Sequence, residues 1–307
     1  MKREGVLVIG SANMDLVISV EKFPQPGETI FGKKFQMFPG GKGSNQAVFC
    51  AKLGAKTYFL GRIGNDDFGK SLSKNMKSEG VDIHHLLIDE NESTGTALIT
   101  VDGKGENEIV VISASNMKLS PNDIESKRKI FNEVKIVITQ LETPLNTVIQ
   151  AARIAKENRN IFILNPAPAQ ELPRKLLSMI DYLTPNETEL ELLSGIRVKD
   201  KKSVELAAEE LLKKGVKNVI VTMGKKGAYL ITNERKQIFP AKKVNVVDST
   251  GAGDAFNGAL AYALSNDEEI GKAIQLANSV AAFAVTKMGA QSSLPRLEDL
   301  NIYKIAN

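Results

Sequence analysis

From Ser120 onward the chain alternates short apolar runs with helical patterns, and this alternation limits the possible folds more than any other feature. A helical pattern runs from Ser120-Pro121 to about Phe131, followed by a strand over Val134–Thr139, a helix over Pro144–Ala155 and strands over Ile161–Leu164 and Tyr182–Thr184. Helices over Glu187–Leu193 and Ser203–Lys214 flank the next loop, Asn218–Thr222 reads as a strand, and Ala228–Thr232 with Gln237–Phe239 reads as a hairpin. Two helices close the pattern, one after Gly253 and one over Ile270–Thr286. Such alternation predicts an α/β fold, a doubly wound and mainly parallel sheet flanked by helices. With 307 residues, 42% of them hydrophobic, the chain can bury a large core. Residues 1–307 are read as one domain.

The first third departs from this rhythm. Val6–Ile9 is a buried strand ending at Gly10-Ser11, yet no helix follows it; Leu16–Val20 and Ile30–Phe38 read instead as extended segments around FPQPGE. The chain returns at Gly40-Gly41-Lys42-Gly43, which opens a helix over Ser44–Leu53 stopped by Gly54. Tyr58–Ile63 is the next expected strand and Phe68–Ser78 the next helix. Thr94–Val101 and Glu108–Ile112 then flank Asp102-Gly103-Lys104-Gly105 as a hairpin. The two excursions, about 12–39 and 94–113, are expected to pair as one small sheet.

Composition excludes several functions. Forty basic against thirty-six acidic residues give a net charge of +4, too mild and dispersed for a nucleic-acid or polybasic membrane footprint, while phosphorylated small molecules stay compatible. The N-terminal apolar run Val6–Ile9 is far shorter than a signal core or a spanning helix, which points to the cytoplasm. The single cysteine, Cys50, sits in an apolar run and reads as a small buried hydrophobe. His84 and His85 are the only histidines and are adjacent, so neither a histidine triad nor a histidine-rich metal site is expected.

Chemistry concentrates in Asp248–Ala263, DSTGAGDAFNGALAYA. Gly251 and Gly253 let consecutive main-chain N–H groups of residues 251 to 254 converge on one oxyanion. Ala255, Phe256, Ala259, Leu260 and Ala263 recur at helical spacing, which puts a helix N-terminus behind the same spot. Asp254 lies in that first turn, where a carboxylate beside a bound phosphate suits removal of a proton from an attacking hydroxyl. The plain alternative is an acidic residue complementing the helix dipole, with glycines for a turn. Other polar residues follow strand ends, where open α/β sheets bind ligands: Asn13, Asp15, Lys42, Asn45, Glu142, Asn165, Asn186, Glu189 and Thr222 to Gly227. Singly each could be a cap or a turn residue. Gly64–Ser71 matches the phosphate-loop pattern G-x-x-x-x-G-K-[ST], but Asp66 and Asp67 would put negative charge inside the phosphate nest; they read better as caps of the following helix.

GGKGSNQA at Gly40–Ala47 and DSTGAGDAF at Asp248–Phe256 resemble the two signatures of the ribokinase-like carbohydrate kinases, in the expected order. GSANMD, GRIGNDDFG, NPAPA, TPNETE, VTMGKKGAYL and VTKMGAQSSLP extend the resemblance over essentially the whole chain, most nearly to the ribose-phosphorylating branch. The resemblance implies ATP-dependent phosphorylation of the primary 5-hydroxyl of D-ribose, with deoxyribose or another small sugar, or a non-catalytic sugar- or nucleotide-binding regulator, as alternatives. It implies sugar contacts from Asn13, Asp15, Gly41, Lys42, Gly43, Asn45, Glu142 and Asp254. Met14, between Asn13 and Asp15, is the position least fixed by the pattern. ATP would lie across Asn186, Thr222, Gly224, Gly227, Gly253 and Asn278, with Mg2+ on its phosphates and Glu189 near that ion through water. Catalysis would fall to Asp254 as base and to the main-chain amides of Gly251, Ala252 and Gly253. A K+ ion would be held by Asp248 and Thr250 with Ala284, Lys287 and Gly289, and Ser293 nearby. The small sheet would be a lid over the sugar and the contact of a homodimer.

Overall fold

Val6–Ile9 is buried on both faces: Val6 and Val8 enter one apolar cluster, Leu7 and Ile9 the other. A strand hidden on both sides is what a helix-covered parallel sheet requires. The computed structural model describes residues 3–293 and Arg296; residues 1–2, 294–295 and 297–307 of the expected domain lie outside the described residues. Among the described residues a nine-stranded sheet forms around this strand. Its order is Lys236–Phe239, Ala228–Ile231, Asn218–Thr222, Tyr182–Leu183, Ile161–Leu164, Ile136–Thr139, Val6–Ile9, Thr57–Leu60 and Val81–Asp82. Every pairing from Asn218–Thr222 to Val81–Asp82 is parallel, and the remaining hairpin adds antiparallel strands at one edge.

The sheet separates two cores. Helices Lys42–Lys52, Asp67–Ser78, Ala252–Ser265 and Ile270–Ala284 pack on the Val6/Val8 side; Leu145–Glu157, Glu187–Ser194 and Lys201–Lys213 pack on the other. Helices Lys42–Lys52 and Ala252–Ser265 approach unusually closely because residue 258 is glycine: a Cβ there would stand 2.4 Å from Phe49 Cβ and 3.1 Å from the Gln46 carbonyl oxygen. That approach brings the two signature motifs together. The chain fills the sheet on one side of Val6–Ile9, with Thr57–Leu60 and Val81–Asp82, then crosses back to Ile136–Thr139 and builds the other side. The strand order therefore reverses at Val6–Ile9, and the crevice beyond its carboxyl end is where such sheets bind ligands.

Both excursions join one four-stranded sheet, ordered Lys34–Gly40, Asn13–Ser19, Gly95–Val101 and Asn107–Ile112, with the central pair parallel. Two expected elements are interrupted. Tyr58–Ile63 divides into Thr57–Leu60 in the large sheet and Arg62–Gly64, which pairs instead with Leu87–Asp89. The break is at Gly61, where a Cβ would meet the Gly10 carbonyl oxygen at 2.6 Å and the Phe59 ring at 2.7 Å, while the Gly61 carbonyl accepts the Leu87 N–H. The helix expected up to Phe131 ends at Ser126 and continues as a 3-10 turn over Arg128–Asn132, which turns Ile130 and Phe131 into the core.

Candidate active site

Helix Ala252–Ser265 begins after Gly251, which takes a left-handed conformation with φ 75°. A Cβ at 251 would lie 2.9 Å from that of Ala290, whereas one at Gly253 would meet nothing within 4 Å. The turn is thus closed on the Ala290 side and open on the other. Asp254 follows in the first turn and is 7% exposed. Its Oδ2 accepts Asn45 Nδ2 at 2.9 Å and its Oδ1 accepts Gln46 Nε2 at 2.9 Å. Burial pushes this carboxyl above the usual range, with Glu142 adding to the rise; Lys42 and the two amide donors oppose them.

Lys42 is the cation of the cluster. Burial works against its charge, but Asp254, Glu142, Glu189 and Asp15 together hold its pKa above the ordinary lysine value. Its Nζ lies 4.0 Å from Glu142 Oε1. The same Glu142 accepts the Lys42 main-chain N–H at 3.1 Å and the Ser11 hydroxyl at 2.5 Å, so it ties the start of helix Lys42–Lys52 to the end of the central strand. Asp15, on the small sheet, is pushed up to about 7 by burial and by its neighbours Glu142 and Asp254. Asn13 and Asp15 share one face of their strand, since successive side chains alternate; Met14 points the other way into the core and is 3% exposed. Met14 therefore leaves the polar face of the site to its neighbours.

The glycines of GGKG are packing residues. A Cβ on Gly41 would come 2.7 Å from Asn13 N, and one on Gly43 would come 2.6 Å from Ser11 N. The Gly43 N–H is already directed at Ser11 Oγ, 3.3 Å away.

A cavity of about 620 Å³ reaches the helix start at Ala252 and Gly253. Asn186, Thr222, Gly224, Gly227, Gly253 and Asn278 all line it, together with an apolar wall that includes Val246 and Phe256. Asn186 also caps helix Glu187–Ser194: its side chain accepts the Glu189 N–H at 2.8 Å and Glu189 Oε2 accepts the Asn186 N–H at 2.9 Å. Glu189 is not among the lining residues. Its pKa is raised by burial, against the pull of the Asn186 N–H and Lys42, and its charge is felt by both Lys42 and Asp254. The cap and the ligand readings of Asn186 are therefore compatible.

Asp248 joins the two segments named for a cation. Its Oδ1 accepts the Thr250 N–H at 2.9 Å and its Oδ2 the Gly289 N–H at 2.8 Å. Burial opposes ionisation, yet these bonds hold its pKa below the ordinary value. The Val285 carbonyl accepts the N–H groups of Val247 and Asp248, the Ala284 carbonyl accepts the Lys287 N–H, and Ser293 Oγ donates to the Ala290 carbonyl at 2.7 Å. The 64–71 loop has no phosphate nest. Asp66 caps helix Asp67–Ser78 through the Gly69 N–H at 2.7 Å and accepts from Thr94, while the exposed Lys70 pairs with Asp67 at 3.7 Å.

A sequence profile of the pfkB family carbohydrate kinases matches residues 3–297. The chain belongs to the pfkB family of carbohydrate kinases. This carbohydrate kinase is 42% identical over 297 residues to the ribokinase of Haemophilus influenzae, covering 97% of each chain. It is 38% identical over 303 residues to the deoxyribokinase of Salmonella typhi, covering 98% of this chain and 99% of that one. Arabidopsis thaliana ribokinase, solved in complex with ribose and ATP, superimposes with a TM-score of 0.94 at 34% identity, over 99% of this chain and 100% of that one.

Several polar residues of the kinase that the motifs did not single out hold the ones that they did. Gln46 Nε2 bonds both Asp254 and Asn165 Oδ1 (3.1 Å), and its Oε1 accepts Gln140 Nε2 at 2.6 Å. Asn116 Nδ2 donates to Asn13 Oδ1 at 2.7 Å. Thr184 Oγ1 donates to Asn257 Oδ1 at 2.7 Å, one turn beyond Asp254. Gln291 donates to Asn45 Oδ1 at 2.9 Å. Of these Gln46 stands in NQA of the first signature, and Thr184 and Gln291 lie in the matching stretches TPNETE and VTKMGAQSSLP; their place there was the available signal.

Proposed function

We propose that this carbohydrate kinase transfers the γ-phosphoryl group of ATP to the 5-hydroxyl of D-ribose, giving ribose 5-phosphate and ADP. The observation that carries the proposal is the position of Asp254: it is buried beside Lys42, one residue after Gly253, which lines the 620 Å³ cavity. ATP in that cavity would present its γ-phosphate to the open N-terminal turn, and the sugar would lie on the opposite side among Asn13, Asp15, Lys42, Asn45 and Glu142. The Asp254 carboxylate takes the proton of the 5-hydroxyl, the oxygen bonds to phosphorus, and the bond to the bridging oxygen of ADP breaks in line. The main-chain N–H groups of Gly251, Ala252 and Gly253 and the helix dipole stabilise charge on the moving group. The ribose and ATP bound by the Arabidopsis relative support this choice of substrates.

Magnesium would be carried on the phosphate oxygens of ATP, with Glu189 beyond a water. Among the described residues no group of three or more His, Cys, Asp or Glu side chains is placed to hold a metal, which fits an ion brought in by the nucleotide. Potassium would be held by the Asp248 carboxylate and the main-chain oxygens of Thr250, Ala284, Lys287 and Gly289, with Ser293 nearby. Asp248 Oδ1 accepts the Thr250 N–H and Oδ2 the Gly289 N–H, which joins the two segments at one carboxylate, and oxygen donors suit a hard cation. Such an ion would brace the Gly251–Ala290 contact behind the anion-binding turn. The small sheet would close over the sugar as a lid and exclude water.

The test is ATP consumption with ribose, 2-deoxyribose, other pentoses and hexoses in potassium or sodium at constant ionic strength. Ribose is expected to give the highest kcat/KM, and potassium the faster turnover. Preference for deoxyribose, which the Salmonella typhi relative makes the natural competitor, would reassign the sugar; equal rates in both salts would remove the ion.

A further inference from the structure

We propose that Gln291 is a positioning residue for the Asp254 carboxylate, acting through the side-chain amide of Asn45, and that Asn75 fixes which way round the Gln291 amide lies. This rests on Asp254 being the base of the proposed phosphoryl transfer. An ionised carboxylate only accepts hydrogen bonds, so Asn45 must turn its Nδ2 toward Asp254 Oδ2 (2.9 Å). Its Oδ1 then faces away and needs a donor, which Gln291 Nε2 supplies at 2.9 Å. Gln291 Oε1 in turn accepts Asn75 Nδ2 at 2.7 Å, from helix Asp67–Ser78. Three amides thus stand head to tail between that helix and the base, and reversing one reverses the next.

Gln291 is built into this place. It is 7% exposed, and its Nε2 also reaches Ser44 Oγ at 3.2 Å. Its main-chain oxygen accepts Lys52 Nζ at 3.2 Å, and Lys52 pairs with Glu79 at 3.5 Å. The second carboxylate oxygen is held from the opposite side by Gln46, whose own amide is set by Gln140. The carboxylate is therefore gripped from both sides, one grip resting on a strand end and the other on Gln291. The charged groups that face Asp254 are Asp15 from the small sheet, Lys42 from helix Lys42–Lys52, Glu142 from the loop after Ile136–Thr139, and Glu189 from helix Glu187–Ser194.

Gln291→Glu keeps the shape but removes the donor. Asn45 must then turn its Nδ2 toward Glu and its oxygen toward Asp254, or leave two acceptors opposed. Asn75→Asp asks the same reversal from a residue remote from the cavity, because Asp cannot donate to Gln291 Oε1. The measurement is a 13C NMR titration of the Asp254 carboxyl, identified by its loss in Asp254→Asn, alongside the pH profile of kcat. In Gln291→Glu the Asp254 midpoint and the acid limb of kcat are expected to move up by about 1 pH unit, and Asn75→Asp is expected to move both in the same direction. KM for ATP should stay within about twofold, since only a transition-state contact is disturbed. An unmoved Asp254 titration in folded Gln291→Glu, or in Asn75→Asp should the first variant not fold, overturns the proposal. Failure of the wild type to phosphorylate any of these pentoses and hexoses would instead overturn the proposed sugar-kinase reaction, and the NMR titration would still decide the coupling.

Discussion

As the proposed base Asp254 would have to be buried and ionised at once, and its neighbours bear on that conflict. Burial favours the protonated form, and Lys42, the Asn45 amide and the Gln46 amide bring the charged form back within reach. Asp254→Asn keeps size and polarity but abolishes proton transfer, so kcat should fall by about 10² to 10⁴. Calorimetric titration should find ATP and ribose still bound, and near-normal turnover would refute the base. Asp15 gives a pH signature. Its folded pKa of about 7 exceeds the unfolded 3.8, so the folded state holds the extra proton between those values. Stability contributed by that proton is complete below about pH 4 and is lost as pH rises toward 7. Asp15→Asn should therefore raise Tm at pH 8 and leave it nearly unchanged at pH 4. At this scale the motifs made Asp15, Lys42 and Asp254 legible. They placed Gln291 inside VTKMGAQSSLP without giving it a role, which emerges only when the fold carries it across 246 positions to Asn45.

At the scale of elements, local signals were read best where one segment determines its own structure. Asp66 caps its helix as the acidic residues foretold, and the phosphate-loop pattern is accidental in form. Lys70→Ala should accordingly leave ATP affinity within about twofold; a loss of about tenfold, roughly 1.4 kcal/mol, in a nucleotide titration would reinstate the loop. Helix starts with a capping box, at Ser120, Asn186 and Asp200, fall where the periodicity put them or within a few residues. The misread elements are those decided elsewhere in the chain. Nothing within Tyr58–Ile63 announces that Gly61 will meet Gly10, nor within Pro121–Phe131 that Ile130 and Phe131 will be drawn into the core. The small sheet was legible as extended segments, because interrupted helix-strand rhythm is itself a signal, and its pairing follows from shared strand character.

For the whole molecule, the small sheet has an edge to hide. All six residues of Asn107–Ile112 are exposed, including Ile109, Val110, Val111 and Ile112, and on the opposite edge strand, Lys34–Gly40, Phe35 and Met37 are more than half exposed. Open edges with apolar side chains are a liability that pairing removes. A second copy of this chain, sheet against sheet, is the expected cover, and sedimentation at micromolar concentration should give a dimer. An active monomer there would contradict it.

The central strand Val6–Ile9 has a temporal consequence as well as a spatial one. Its partners are Thr57–Leu60 and Ile136–Thr139, so the first strand to be made waits for more than a hundred further residues before its second side is covered. The helix carrying Asp254 is later still and packs on the helix opened by Lys42. Contacts of such long sequence separation slow folding, because ends must be brought together before they stabilise anything. During synthesis the central strand therefore keeps one open edge until Ile136–Thr139 is made, and the helix that brings Asp254 to Lys42 comes later still. A chain released before Asp254 would carry Asn13, Asp15, Lys42 and Glu142 without their buried partner, and all nine strands of the large sheet with the Val6/Val8 face lacking helices Ala252–Ser265 and Ile270–Ala284.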